Sequence, residues 1–180
     1  MPAAASHSRF RASSSRCTVI GPSSVRLVRP LSSTLAAKSR PATNYRISNI
    51  WAWHVKPDPE MAQREACREL LLRGLLEPWY LESFLDADDC ALVAREKKAF
   101  FQAYRDRSGV IAGVPERVID ALLANFTFTD TPDQVRAGLP ELLAFRSAGV
   151  SELCLRLHDD PADAIRIIGE RVVPAPTAAS

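Results

Sequence analysis

The residues of this 180-residue chain best suited to chemistry sit where apolar alternation stops. In LCLRLHDDPADAI, residues 153–165, Leu153, Leu155 and Leu157 alternate with Cys154, Arg156 and His158, and Asp159, Asp160 and Pro161 follow. Residues two apart on a strand share a face, so Arg156 and His158 project together. A guanidinium and an imidazole there can contact a phosphate group or a substrate. The stretch IWAWHVKPDP ends in the same manner. His54 and Lys56 fall on the side of Ala52, while Trp51, Trp53 and Val55 fall on the side expected to pack under helices. Thr129 closes a third apolar run. Each group also has a plainer use: Arg156 as a structural partner for Asp159 or a neighbouring acid, His54 and Lys56 as a solvated or hydrogen-bonded strand end.

Other chemistries lack their signatures. There is no glycine-rich phosphate loop, no GxSxG elbow and no HExxH. The four cysteines (Cys17, Cys67, Cys90 and Cys154) lie far apart and form no CxxC or Cys/His ligand set. That spacing argues against a disulfide framework or a metal site and fits a reducing cytoplasm. Arg64, Glu65, Arg68 and Glu69 form an acid/base run that reads as a solvated helix face. No apolar run approaches the length of a membrane span.

Three strand-to-helix units position these groups. In the first, Ile50 to Val55 has strand composition and Asp58-Pro59 starts a helix, with Asp58 as N-cap and Pro59 where a missing N–H costs nothing. Met61, Ala62, Ala66, Leu70 and Leu71 recur at helical spacing. The second unit runs from a strand at Phe126 to Thr129 into a helix capped by Thr131 and Gln134 as a capping box, with Pro140 inside it, either kinking it or near its first turns, and Gly149 at its end. The third is the opening stretch, where Asp160 caps, Pro161 starts the helix, and Ala164, Ile165, Ile168 and Val172 form its apolar face. Between the first and second units lies a helical insertion. DADDCALVAREKKAFFQAYRDR reads as one amphipathic helix and PERVIDALLANF as another. Strand followed by capped helix, repeated, predicts an α/β fold with a parallel sheet, whose ligands bind beyond the carboxyl ends of the strands.

The net charge of +2 conceals an asymmetry. Residues 1–46 contain seven arginines, one lysine and no acid. Removing those eight from the 23 basic residues leaves 15 against all 21 acids, a balance of −6 for residues 47–180. Residues 1–45 show no sustained periodicity and are expected to be a disordered basic, Ser/Arg-rich leader. Three readings of it stay open: an organelle transit peptide, a basic arm for nucleic acid, or a non-native leader from a mis-assigned start. Phe10 is its only aromatic residue before Tyr45, which counts against single-strand nucleic acid binding.

Four stretches taken in order, IWAWHVKPDPEMAQREACRELLLRGLLEPWYLESF, GVPERVIDAL, TFTDTPDQV and AGVSELCLRLHDDPADAIRIIGERVVP, resemble the C-terminal part of luciferase-like flavin- or deazaflavin-dependent oxidoreductases. Within them, the chain is most similar to the methylenetetrahydromethanopterin-reductase-like subgroup. The resemblance covers residues 46–176 and leaves 177–180 as a tail. It implies a (β/α)8 barrel with FMN or the deazaflavin coenzyme F-420 at its C-terminal mouth, and a monooxygenase or reductase acting on a small molecule by hydride transfer. It places Arg156, His158 and His54 at that mouth as cofactor-binding residues and identifies no catalytic residue. A barrel of this kind needs about 250 residues. Three strand–helix units therefore imply a partial, truncated barrel. A slice of a barrel has two open sheet edges, so the alternative is a non-catalytic fragment that acts as an interaction module, self-associating or joining a complementary barrel fragment.

Overall fold

The computed structural model describes residues 48–73, 76–147 and 150–174. The proposed leader at 1–45, the tail at 177–180 and the helix-ending Gly149 lie outside the described residues.

The chain opens with strand β1, Ser48–Val55, followed by helix α1, Pro59–Glu69, and a 3-10 turn, Leu70–Arg73. The insertion comprises α2 (Pro78–Leu81), α3 (Ala87–Arg95), α4 (Lys97–Arg105) and α5 (Glu116–Phe126). Then come β2 (Thr127–Asp130), α6 (Val135–Ser147), β3 (Glu152–Arg156), α7 (Pro161–Ile167) and a π-helical turn, Ile168–Val172.

All three strands are parallel, in the order β2-β1-β3. The coarse expectation, a mixed α/β fold around a small parallel sheet, therefore holds. The succession of adjacent staves implied by a barrel slice does not. In a singly wound barrel the second strand lies between the first and third, whereas here β1 is central and β3 pairs on its far side. Burial accounts for the choice. Trp51, Ala52, Trp53, His54 and Val55 are buried on both faces of β1, and only an inner strand is covered that way. The register sets Ala52 beside Thr127 and His54 beside Thr129 on one flank, and Ile50 beside Cys154 and Ala52 beside Arg156 on the other.

Asp58 caps α1 as expected, accepting a hydrogen bond from the Glu60 amide at 2.9 Å, with Pro59 in the first turn. Ala62, Ala66 and Leu70 are buried, but Met61 is exposed. The other two expected caps take different forms. α6 begins at Val135, so Thr131 and Gln134 form a preceding turn in which the Gln134 amide bonds the Thr131 carbonyl at 3.1 Å. Asp160 precedes α7 with a left-handed backbone (φ 58°) and no side-chain cap bond. Aspartate tolerates that conformation better than most residues. Ile167, not Ile165, joins Ala164 in the core from α7. The single helix expected over 86–107 is two, broken at Glu96 (φ −89°, ψ 13°). The bend lets Cys90 and Val93 of α3 and Phe100 and Ala103 of α4 reach one core.

Two apolar cores result. One is built among α1 to α5, from residues such as Leu70, Leu81, Phe100 and Phe126. The other lies between the sheet and α6 and α7, from Trp51, Trp53, Phe128, Phe145 and Ile167. Between the first core and the sheet, α1 rests on β1 and β2. That contact is polar, and it contains most of the residues singled out for chemistry.

Candidate functional site

Strand alternation sends Trp51, Trp53 and Val55 into the aromatic core and turns His54 and Lys56 toward α1. On α1, Glu65, Arg68 and Glu69 face the sheet and are buried along with Ala62 and Ala66. The solvated face expected for this run is thus a buried one. The stripe 62, 65, 66, 69 is the inward stripe of the helix. Its two alanines let α1 approach the strand closely enough for the longer residues to meet their partners.

His54 is fully buried, and its Nδ1 lies 2.9 Å from Glu65 Oε1. An ionised carboxylate only accepts, so Nδ1 carries the proton and donates. Lys56 Nζ is 3.1 Å from the other Glu65 oxygen and also donates to the Asp159 carbonyl. The ring of His158 stacks on that of His54, with centroids 4.9 Å apart and planes 18° apart. His158 Nδ1 lies 3.4 Å from Glu69 Oε2, while Glu69 Oε1 accepts from Arg68 Nε at 2.8 Å. Arg68 Nη1 continues to Asp159 Oδ2 at 3.1 Å, and Arg107 Nη2 reaches the two Asp159 oxygens at 3.0 and 3.1 Å. The network ties the carboxyl ends of β1 and β3 to α1 and to the turn after α4.

Electrostatics define what this layer can do. Three carboxylates (Glu65, Glu69, Asp159) are matched by three permanent cations (Lys56, Arg68, Arg107). Burial pushes the Glu65 carboxyl up, but hydrogen bonds from His54 and Lys56 together outweigh it and hold the group below its ordinary value. Hydrogen bonding to Arg68, helped by Arg107, holds Asp159 low. Proximity to Glu69 alone would favour an imidazolium at His158. Burial, then repulsion from His54 and Arg156, win instead and depress it to about 4. His158 is therefore neutral at pH 7, and its buried Nε2 has no hydrogen-bond partner among the described residues. At the end of β2, burial raises the Asp130 carboxyl.

The expected mouth residues thus divide. His54 and His158 come together at the carboxyl end of the parallel strands as a stacked pair, His54 fully buried and His158 half-buried. The fully buried His54 ring is closed off from a ligand. Arg156 is exposed at the end of β3 and is the most accessible of the three. It is not the partner of Asp159, whose oxygens are taken by Arg68 and Arg107. One exposed guanidinium beside a filled polar layer does not make the phosphate and ring contacts that a flavin or deazaflavin requires, so these residues do not fit that group. Cys67 and Cys90 offer no nucleophile: both are buried, and burial pushes the Cys67 thiol up to about 12. No group of three or more His, Cys, Asp or Glu able to hold a metal is present among the described residues, and no described helix is long and apolar enough to cross a membrane.

Glu65, Arg68, Glu69 and Arg107 are the members of the cluster that sequence reasoning missed. The available signal was Ala62 and Ala66, which mark the inward stripe on which Glu65 and Glu69 lie. Compared with known proteins, the chain matches no family model, no curated protein and no solved structure.

Proposed function

We propose that this chain is of the luciferase-like flavin- or deazaflavin-dependent oxidoreductase lineage and acts as an interaction module in the arrangement described. Hydride transfer through FMN or coenzyme F-420 to a small molecule would then require further chain to complete the pocket. The carrying observation is the sheet: three parallel strands end together, yet among the described residues two of the three are edge strands. An unclosed edge presents backbone donors and acceptors that pair readily with another strand. The lineage is supported by the four sequence stretches and by the repeated strand–helix order. The strand order β2-β1-β3 and the burial of His54 count against turnover by the chain alone.

Titrating the purified chain with FMN and, separately, with F-420 tests this. The expected outcome is no spectral shift at micromolar cofactor together with concentration-dependent association. A saturable shift at micromolar concentration would overturn the module reading in favour of a cofactor-bearing oxidoreductase, with Arg156 the first residue to replace.

A further inference from the structure

The turn after β3 is clamped to β1, to α1 and to the turn after α4 at once. The His158 ring stacks on that of His54, with centroids 4.9 Å apart. Lys56 donates to the Asp159 carbonyl, and the Asp159 carboxylate accepts from Arg68 Nη1 at 3.1 Å and from Arg107 Nη2 at 3.0 and 3.1 Å. Asp160 then takes a left-handed backbone, φ 58°, which costs any residue but glycine free energy and persists only where the surroundings enforce it. We propose that residues 157–160 form an acid-released latch: a proton on His158 drives its ring off His54 and out of the ionic layer, and the turn swings free of α1. Release uncovers one face of the His54 ring and frees Lys56, Arg68 and Arg107 from Asp159. The latch is independent of the interaction-module reading.

His158 is the moving part because its surroundings cannot hold a second charge. From β1 it faces His54, with Lys56 beyond; from α1, Glu65, Arg68 and Glu69; along its own strand and turn, Arg156 and Asp159; and Arg107 reaches the same turn from the end of α4. The acids are already committed: Glu65 to His54 and Lys56, Glu69 Oε1 to Arg68, and Asp159 to Arg68 and Arg107. An imidazolium carries a proton on both nitrogens. Nδ1 can direct its own at Glu69 Oε2, 3.4 Å away, but Nε2 is buried with no hydrogen-bond partner among the described residues. Only water outside the layer can accept from it. Burial, then repulsion from His54 and Arg156, depress the closed imidazole to about 4, whereas a released one titrates near 6.5. The released turn therefore takes up the proton first, and release is favoured progressively as pH falls from 6.5 to 4. Between pH 7.5 and 5 the opening equilibrium should rise about thirtyfold. Glu65 and Asp159 are held low and stay ionised over that interval.

Hydrogen–deuterium exchange on the full chain tests the latch. After correction for intrinsic exchange, peptides covering 155–166 should lose protection about thirtyfold between pH 7.5 and 5. At pH 5 they should be less protected than peptides of β2 and α5 and insensitive to low urea, because a local opening exposes little surface. His158→Phe keeps an aromatic ring against His54 and takes up no proton, so its 155–166 protection should be equal at the two pH values. Any titration of His54 persists in that variant and is thereby told apart from that of His158. Circular dichroism at pH 7.5 checks that the variant folds. Should it not fold, the wild-type imidazole decides: the NMR titration of His158 should have its midpoint well below 6.5, and a midpoint at or above 6.5 means that the closed turn accepts the charge.

Three results overturn the latch. The first is wild-type protection of 155–166 that is the same at pH 7.5 and 5. The second is a pH-dependent loss that His158→Phe retains, which assigns it to another group. The third is protection at pH 5 equal to that of β2 and α5, which means that the turn opens only when the whole chain unfolds.

Discussion

The two faces of β1 solve the same packing problem by opposite means. On one face Trp51 meets Phe145 edge-on at 5.0 Å and Trp53 stacks on Phe128 at 4.9 Å, in a layer with no charged side chain in its buried core. On the other, His54 and Lys56 meet Glu65 in a layer in which charges are paired across elements. The aromatic face is stabilised by area removed from water and tolerates no void. The charged face contributes less net stability, because desolvation offsets most of the attraction, but it is intolerant of losing a single partner. A strand with both faces buried therefore shows how strict alternation can join a dry core to an ionic one within eight residues.

The largest expected loss is on the dry side. Trp53→Ala should destabilise the chain by about 4 kcal/mol, the range of aromatic-to-alanine changes in a core that only partly collapses. Urea unfolding followed by circular dichroism would measure it. On the ionic side, Glu65→Gln should cost about 3 kcal/mol, since it leaves the half-buried Lys56 and the buried His54 without their carboxylate. The two faces are set apart by the next change. Replacing Lys56 and Glu65 together with Met and Leu should restore most of the Glu65→Gln loss, whereas no second substitution on the aromatic face should rescue Trp53→Ala so cheaply. A double variant as unstable as Glu65→Gln would show that the ionic layer is not limited by unpaired charge.

The aromatic face was legible from sequence, and the ionic one only in part. Trp51, Trp53 and Val55 alternate with smaller or polar residues, and Asp58-Pro59 marks the next helix, so strand, face and cap follow from local rules. The charged run on α1 misleads for a local reason: Glu65, Arg68 and Glu69 show the three- and four-residue spacing that stabilises an exposed helix. Only their partners, 11 residues away at His54 and 91 away at Asp159, reveal that the face is buried. Strand order is similarly non-local. Nothing within β3 says that it pairs with β1 in preference to β2. The break at Glu96 has no glycine or proline to announce it.

Acid should separate the faces further, by a smaller effect. His158 is depressed to about 4 in the fold and titrates near 6.5 when unfolded, so the unfolded chain binds its proton first as pH falls. Stability should be unaffected above pH 7, fall between about 6.5 and 4 by at most about 1.4 kcal/mol per pH unit, and cease to depend on this group below that. Glu65 and Asp159 have the opposite starting point: held low in the fold, they contribute stability that is lost only as pH drops through their folded values. His158→Gln should flatten the loss between pH 6.5 and 4 and leave the more acidic one. A wild-type profile already flat over that interval would mean that His158 is not held neutral by its surroundings.

The smallest effect belongs to the rim of the same network and sharpens what burial contributes. Arg107 pairs with Asp159 through two oxygens at hydrogen-bond distance, a geometry as good as that of Arg68 with the same carboxylate. Arg107 is exposed, however, and Arg68 is buried. Solvent screens the first pair, and ordering a long side chain offsets much of its attraction, so Arg107→Ala should cost under about 1 kcal/mol and less still at high salt. Arg68→Ala removes the cation between two carboxylates and should cost several times more, with little salt dependence. Equal losses for the two arginines would mean that contact geometry, and not exclusion from water, sets the strength of the ionic layer.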